Sequence, residues 1–126
     1  MLNHKNAFSS FAVKDATVTK AFYEQKLGLT VTEAPGMEGI LELHTTGNQD
    51  IIMYQKPDHT PATFTVLNFN VTDIEAAVEQ LNKQGITMLQ YTGNIQTDDR
   101  GITVNGNPRV AWFTDPSGNI LSVMQE

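Results

Sequence analysis

The feature that most constrains the fold of this chain is a pattern of elements that occurs twice. The triplets Val13-Lys14-Asp15 and Val71-Thr72-Asp73 lie 58 residues apart, and each closes a stretch typical of a β-strand. Each Asp can cap a following helix by accepting a hydrogen bond from a free backbone N–H. Gly28 and Gly85 follow at distances that suit the left-handed residue at which many helices end. The sequence therefore predicts two similar modules.

Both intervening segments, 16–27 and 74–84, have the apolar spacing of amphipathic helices. The first apolar stripe contains Val18, Ala21, Phe22 and Leu27, and the second contains Ile74, Ala77, Val78 and Leu81. Because such a stripe must be buried, we expect each helix to cover one face of a β-sheet.

The rest of each module is predicted to be β-structure. A strand should start after each helix, at 28–31 and at 85–89, and a hairpin should follow it. The predicted hairpin strands are 40–44 with 51–55 and 109–114 with 120–125, whereas 92–108 is predicted to be a surface loop. The chain is thus expected to be one α+β domain, 1–126. Its two βαβββ modules should span about 5–56 and 62–126, with a turn-rich linker at 57–61.

Alternation along the first strand of each module divides its residues between two faces. Phe11 and Val13, like Leu67, Phe69 and Val71, are predicted to meet the helices. The opposite, mixed faces contain Phe8, Ser10 and Ala12 in one module and Phe64, Val66, Asn68 and Asn70 in the other. A concave apolar wall with a few polar groups is how small-molecule pockets are built, although ordinary packing between two sheets would give the same pattern.

Composition narrows the function classes. The chain has no cysteine, which excludes disulfides, thiolate metal sites and cysteine nucleophiles and fits a reducing compartment. Its net charge is −6 without a cluster of basic residues, so nucleic acid is not an expected partner. Neither a secretory signal nor a membrane span is recognisable, and we expect a cytoplasmic protein that has no membrane partner.

Two segments resemble the glyoxalase/bleomycin-resistance/dioxygenase superfamily, also called the vicinal oxygen chelate superfamily. Val13-Lys-Asp with Ala21-Phe-Tyr-Glu-Gln-Lys-Leu-Gly-Leu-Thr-Val is similar to its first-module signature. Ala111-Trp-Phe-Thr-Asp-Pro-Ser-Gly-Asn-Ile-Leu-Ser-Val is similar to its closing hairpin. The resemblance covers nearly the whole chain and implies a curved mixed sheet around a cup. It does not fix an activity, since the fold serves lyases, isomerases, dioxygenases and drug-sequestering proteins.

Metal-dependent members of this family take His or Glu ligands from the first and last strands of each module. The corresponding positions here are Phe8, Val66, Ser122 and either Ile52 or Met53, depending on register. None of these side chains is a credible ligand for a divalent ion, because such ions need several converging N or O donors. We therefore expect no metal, no other cofactor and no catalytic residue of the family's type.

The leading hypothesis is a metal-independent small-molecule-binding protein that sequesters an antibiotic or metabolite. The residues expected to form the cup are Phe8, Ser10, Met53, Phe64, Val66, Asn68, Tyr91, Trp112, Ser122 and Met124, with His59 and Arg100 as rim contacts. By the resemblance, a homodimer is expected.

Two other function classes remain open. The chain could be an enzyme of lyase, isomerase or dioxygenase type that uses a displaced metal or an acid–base pair, for which Glu42, His44 and Asp50 are the candidates. It could instead be an interaction module whose cup is filled by its own side chains. Metal analysis separates the first class from a metal-free binder, and the presence of a ligand-sized cavity separates the second.

Overall fold

The structure, a computed structural model, describes all residues from Met1 to Glu126 and divides into two compact units, Met1–Thr60 and Pro61–Glu126. Unit 1 contains β1 (Ser10–Val13), α1 (Ala16–Ala21) with a π-helical turn at Phe22–Lys26, β2 (Thr30–Glu33), β3 (Ile40–His44) and β4 (Ile51–Gln55). Unit 2 contains β5 (Thr65–Asn70), α2 (Ile74–Lys83), β6 (Arg109–Thr114) and β7 (Ile120–Gln125). The α+β fold class is confirmed.

Each unit has a mixed sheet whose first strand pairs with its last. The strand order is β1-β4-β3-β2 in unit 1 and β5-β7-β6 in unit 2. The β1–β4 and β5–β7 pairs are parallel, whereas the other neighbours are antiparallel. A parallel first and last strand requires a crossover, which the helix of each unit supplies.

The strand predicted at 85–89 does not form. Leu89 donates its backbone N–H to the carbonyl of Trp112 at 2.8 Å, so the segment runs beside β6. Two residues on, the N–H of Tyr91 bonds instead to the hydroxyl of Thr97 at 2.9 Å. The backbone is thus held partly by the 92–108 segment and not by a continuous ladder, and unit 2 has three strands.

The predicted helix ends are confirmed. Asp15 accepts a hydrogen bond from Val18 N at 3.0 Å and Asp73 accepts one from Ala76 N at 3.1 Å. Gly28 and Gly85 have φ values of 70° and 83°, in the left-handed region that favours glycine. The two helices thus begin and end by the same chemistry, as the repeat in the sequence indicates.

A pair of glutamines that the sequence analysis missed fixes the side of each sheet on which the helix lies. The Gln55 side-chain oxygen, at the end of β4, accepts the N–H of Ala16 at 2.8 Å. The Gln125 oxygen, at the end of β7, accepts the N–H of Ile74 at the same distance. Each bond satisfies the first free N–H of a helix, and it marks the face of the sheet that this helix covers.

These covered faces hold the apolar core of each unit. The most deeply buried strand residues on them are Val13, Leu41, Leu43, Ile51 and Met53 in unit 1 and Ala111, Phe113 and Leu121 in unit 2. In α2, the predicted stripe is confirmed for Ile74, Val78 and Leu81, which are all buried.

The apolar stripe predicted for the first helix is wrong at Val18. This side chain is 50% exposed, whereas Thr19 and Tyr23 are 0% exposed. Thr19 and Tyr23 are four residues apart and therefore lie on the same helix face. The buried Thr19 hydroxyl donates to the carbonyl of Asp15 at 2.7 Å, which removes the cost of burying a polar group in the core.

The 92–108 segment is more than a surface loop. Isolated bridges join Thr97 to Thr103 and Ile102 to Ala111 of β6. Ile102 is 0% exposed and contributes to the core of unit 2. The prediction failed here because polar and glycine residues surround this single apolar anchor and hide it from pattern analysis.

Neither helix of the chain reaches the length and apolarity that crossing a membrane would require.

Candidate functional site

The uncovered face of the unit 2 sheet brings together several of the residues proposed from sequence. Asn68 pairs with Ser122, and Ser122 pairs with Trp112, so the three side chains form one row across β5, β7 and β6. Paired residues project from the same side of a sheet, and this side is opposite to Leu121 and Val123. We call this surface the unit 2 open face; it consists of Thr65, Asn68, Asn70, Val110, Trp112, Thr114, Ile120, Ser122 and Met124.

A β-bulge changes which β5 residues reach this face. Thr65 pairs with Ile120 and Leu67 pairs with the next residue, Leu121, so Val66 is the extra residue on β5. Strict alternation would have put Val66 beside Asn68 and Thr65 on the covered side. The bulge instead places Thr65 on the unit 2 open face. The assignment of Val66 to a regular position beside Asn68 was therefore wrong, and Thr65 was missed.

Trp112 is held in place by two contacts. Its indole Nε1 donates to the Thr65 hydroxyl at 3.1 Å. The Tyr91 ring meets it edge to face, with a centroid distance of 5.2 Å and an interplanar angle of 80°. Both aromatic side chains are half-buried, so part of each ring is accessible. The result is an aromatic corner with a fixed indole orientation.

The polar part of the row is Ser122 with Asn68. The Ser122 hydroxyl is 0% exposed and donates to the Asn68 side-chain oxygen at 2.6 Å. Asn68 itself is exposed. Because its oxygen is engaged, the amide NH₂ is the group of Asn68 that can donate to a ligand. Met124 follows on the same face as Asn68, paired with Asn70, and adds a half-buried apolar surface.

The corresponding face of unit 1 resolves the register that the sequence left open. Ser10 pairs with Ile52, and Ile52 pairs with Glu42, so Ile52 is the β4 residue on the uncovered side. Met53 pairs with Phe11 and is 0% exposed. The expectation that Met53 shares a cup-facing surface with Ser10 is therefore wrong, since neighbouring strand residues point to opposite faces. We call the uncovered surface the unit 1 open face; it consists of Ser10, Ala12, Thr30, Thr32, Ile40, Glu42, His44, Ile52 and Tyr54.

The remaining proposed residues lie outside the regular strands. Phe8 and Phe64 precede β1 and β5 and are 64% and 67% exposed. His59 belongs to a turn in which its N–H donates to the carbonyl of Lys56 at 2.8 Å. Arg100 bonds to Asp98 on its own loop at 2.9 Å. The strand assignment of Phe8 and Phe64 was thus wrong, whereas the roles proposed for all four in ligand binding remain predictions.

The loop around Arg100 is organised by charge. Burial of the Asp98 carboxyl opposes its ionisation, but hydrogen bonds from Arg100 and from the Ile102 backbone outweigh this, so the pKa of Asp98 is lowered. The same pairing raises the pKa of Arg100. Glu75 at the start of α2 accepts from Arg109 at 2.9 Å and lies 3.6 Å from Arg100. These ion pairs connect the loop to α2.

Glu42 and His44 share the unit 1 open face, as proposed. His44 Nδ1 lies 2.8 Å from Asp50 Oδ1, and His44 Nε2 lies 2.7 Å from the Thr32 hydroxyl. That hydroxyl is also 3.0 Å from Glu42 Oε1. Across the chain, no three His, Asp or Glu side chains are arranged to hold a metal ion. The group is a hydrogen-bonded network, with Thr32 as a member that the sequence did not indicate.

The comparisons with known proteins point to one family. Residues 2–123 match the model of the Glyoxalase/Bleomycin resistance protein/Dioxygenase superfamily. Among curated proteins, none matches the sequence.

Solved structures share the fold over the whole chain. A Bacillus anthracis protein named for the glyoxalase family is 21% identical with a TM-score of 0.72, covering 100% of this chain and 99% of that chain. TnmS3, an antibiotic binding protein from Streptomyces sp. CB03234, is 20% identical with a TM-score of 0.71 (99% and 98% covered). FosX, a fosfomycin resistance protein from Listeria monocytogenes, is 14% identical with a TM-score of 0.70 (99% and 95% covered). At these identities the similarity establishes the fold alone.

Proposed function

Since the chain belongs to the Glyoxalase/Bleomycin resistance protein/Dioxygenase superfamily, we propose that it binds a small planar molecule, an antibiotic or a metabolite, without a metal ion. The binding surface is the unit 2 open face with Tyr91. The observation that carries the proposal is the aromatic corner of Trp112 and Tyr91, set beside the Ser122–Asn68 pair. Together they offer ring surface and hydrogen-bonding groups on one accessible patch.

The chemistry of the family's metal positions supports a metal-free site. By the resemblance these positions are Phe8, Val66, Ser122 and one of Ile52 and Met53, of which we take Ile52 because it lies on the uncovered side of the sheet. Three are hydrocarbon, and the fourth is a buried hydroxyl already engaged with Asn68. Stable binding of a divalent cation needs several converging donors, usually with negative charge, and this set does not fit that requirement.

The residues of the face also restrict the ligand. The partly exposed rings of Trp112 and Tyr91 favour a flat aromatic group, because stacking and edge contacts add to the burial of apolar area. The Asn68 amide and the Tyr91 hydroxyl can donate hydrogen bonds to carbonyl or hydroxyl groups at its edge. A net charge of −6 disfavours anionic ligands, so the compound should be neutral or cationic.

The nature of two relatives adds support. TnmS3 is an antibiotic binding protein and FosX is a fosfomycin resistance protein, and both share the fold of this chain. We extend the antibiotic-binding role to this chain as part of the proposal.

The proposal also includes a cytoplasmic location and a homodimer. The absence of cysteine is consistent with a reducing compartment. Light scattering tests the dimer directly.

Trp112 is the only tryptophan, so fluorescence excited at wavelengths that tyrosine does not absorb comes only from this site. Protein treated with a chelator should show saturable quenching or a spectral shift with at least one compound in a panel of flat aromatic antibiotics and metabolites. Tyr91→Ala should weaken that binding about fivefold, in line with the loss of an aromatic contact worth roughly 1 kcal/mol. Tyr54→Ala, a change of the same type on the unit 1 open face, is the matched control and should leave the affinity unchanged.

Three outcomes contradict the proposal: no saturable response from any compound, a response that requires added divalent metal, or equal loss of affinity in both variants. The second would favour a metal-dependent enzyme. The first, combined with a crystal structure that shows side chains filling the face, would favour an interaction module.

A further inference from the structure

The unit 1 open face carries a set of polar side chains that the proposed binding site does not use. His44 on β3 contacts the Asp50 carboxylate with Nδ1 at 2.8 Å and the Thr32 hydroxyl with Nε2 at 2.7 Å. Thr32 and Asp50 are exposed and His44 is half-buried, so solutes can reach the hydroxyl. The order along this network is the Asp50 carboxylate, the His44 imidazole, the Thr32 hydroxyl and the Glu42 carboxylate.

That order matters because a neutral imidazole has a proton on only one of its two nitrogens, and the other nitrogen can accept a proton. When Nδ1–H donates to Asp50, the lone pair of Nε2 is left to accept the Thr32 proton. A hydroxyl bonded to an imidazole that a carboxylate orients has the geometry by which nucleophiles are activated. We propose that Thr32 is a nucleophile that accepts an acyl group from an activated ester or thioester. His44 acts as its base, and Asp50 is a positioning residue.

The chemical step balances within these residues and the substrate. Thr32 Oγ1 attacks the carbonyl carbon while its proton moves to His44 Nε2. The bond from that carbon to the leaving oxygen or sulfur then breaks and the leaving group departs with the electron pair. The proton on His44 Nε2 passes to the leaving group or to solvent, which returns His44 to the neutral form. Water, deprotonated by His44, later attacks the acyl-Thr32 ester, which releases the carboxylic acid and returns the proton to the Thr32 oxygen.

Glu42 sets limits on this reaction. The Thr32 hydroxyl donates to Glu42 Oε1 at 3.0 Å, so this bond must break before the single hydroxyl proton can pass to His44 Nε2. The negative charge of Glu42 also opposes the oxyanion that forms on the attacked carbonyl. The acyl donor must therefore carry its own good leaving group, and neutral or cationic compounds are favoured. Removing the Glu42 charge should accelerate acylation.

The neighbours of the network indicate the type of acyl group. Ile52 pairs with Glu42 on the adjacent strand, and Ile40 lies two residues before Glu42 on the same face. Both are half-buried, so an alkyl chain placed over them would gain apolar contact. A short aliphatic acyl group suits this surface better than a charged one.

The test uses p-nitrophenyl butyrate and the full-length protein. Release of p-nitrophenol is followed by absorbance, and the acylated residue is identified by intact mass and peptide mapping. We expect one butyryl adduct, on Thr32. Thr32→Val should abolish that adduct, and His44→Gln should slow its formation roughly a hundredfold, as loss of a positioned base does. Asp50→Asn should slow it less, and Glu42→Gln should increase it.

Thr30→Val is the matched control, because Thr30 lies on the same strand and face as Thr32 and is the register partner of His44. It should acylate at the wild-type rate. Circular dichroism checks the fold of every variant, and Thr32→Ser, which keeps the hydroxyl, should still acylate if the valine variant is unfolded.

Butyryl adducts confined to lysines or the amino terminus would overturn the proposal. So would a Thr32 adduct that forms equally fast in His44→Gln. Ligand binding followed by Trp112 fluorescence should be unaffected by Thr32→Val, so this proposal and the binding function fail independently.

Discussion

The indole Nε1 of Trp112 donates a 3.1 Å hydrogen bond to the hydroxyl of Thr65, a residue that reaches the same face only because of the β5 bulge. The bond fixes the indole plane against Tyr91. Thr65→Val keeps the shape but removes the acceptor, and leaves the indole N–H without this partner. We expect the free energy of unfolding to fall by about 1 kcal/mol.

Urea denaturation followed by Trp112 fluorescence measures this change, and the native emission spectrum should shift as the environment of the indole changes. Thr65→Ser retains the hydroxyl and serves as the control. If the valine and serine variants are equally stable, the hydrogen bond does not hold the ring.

Ser122 tests the polar half of the same face. Ser122→Ala removes a fully buried hydroxyl that donates to Asn68 at 2.6 Å and should cost about 1 kcal/mol of stability. Ser10→Ala, at an exposed position of β1, should change stability by less than about 0.5 kcal/mol. Thermal denaturation of both variants gives the comparison, and equal midpoints would count against a structural role of the Ser122–Asn68 pair.

The corrected face of the first helix makes a strong prediction. Tyr23→Ala removes a ring that is 0% exposed and should destabilise the protein by roughly 3–5 kcal/mol. Val18→Ala truncates a side chain that is 50% exposed and should cost under about 0.5 kcal/mol. Urea unfolding followed by circular dichroism separates them. A larger effect at Val18 would restore the stripe expected from the apolar spacing.

Gly101 has a left-handed backbone conformation and lies close to the side chain of Met88. Its φ is 85°, and a Cβ there would lie 2.5 Å from Cβ of Met88. Gly106 has a φ of 90° and open space around it, so alanine there incurs only the backbone strain of about 1–2 kcal/mol. Gly101→Ala should cost a further 1–3 kcal/mol or so from overpacking, seen as a lower denaturation midpoint than Gly106→Ala. Equal denaturation midpoints for the two variants would mean that the Met88 side chain moves aside at little energetic cost.

Asp98 predicts a pH dependence with a defined sign. Its pKa is lowered from the usual 3.8, so the ionised carboxylate stabilises the fold above that pH, and the contribution is lost as pH falls through the lower folded value. The stability difference between wild type and Asp98→Asn should be constant above pH 3.8 and shrink below it. If the stability difference between wild type and Asp98→Asn grew as the pH fell, the pKa of Asp98 would be raised by folding and not lowered.

The architecture could be predicted from the periodicity of the sequence and from its turn and capping residues. The two Asp caps and the glycines Gly28 and Gly85 recur with the strand–helix order, and each reflects a local backbone need that can be read without tertiary information. The hairpins were equally readable, because their strands alternate and their turns contain the expected residues. The α+β class followed from this local information.

The errors arose where side-chain hydrogen bonds and strand register, which apolar periodicity does not encode, decide which residues are buried. Thr19 can be buried because its hydroxyl bonds to the carbonyl of Asp15 one turn earlier, so a polar residue occupies the core position that Val18 was expected to take. The β5 bulge exchanges Thr65 for Val66, and nothing in the alternating sequence marks it. Register assigned Ile52, not Met53, to the uncovered side. Asn68, Tyr91, Trp112, Ser122 and Met124 were proposed from sequence and lie on or beside the unit 2 open face, and their role in binding stays a prediction. Thr65 on that face, and Thr32 on the unit 1 open face, needed coordinates.

The claim of metal-free aromatic binding is tested most directly by ¹H–¹⁵N NMR of chelator-treated protein, with the panel compound that binds tightest added to saturation. We expect the Trp112 indole resonance and the backbone signals of Tyr91, Asn68 and Ser122 to shift, and later addition of Zn²⁺ or Mn²⁺ to alter neither the affinity nor the pattern of shifts. Shifts that leave the indole resonance unchanged, or that appear only after metal is added, would contradict it.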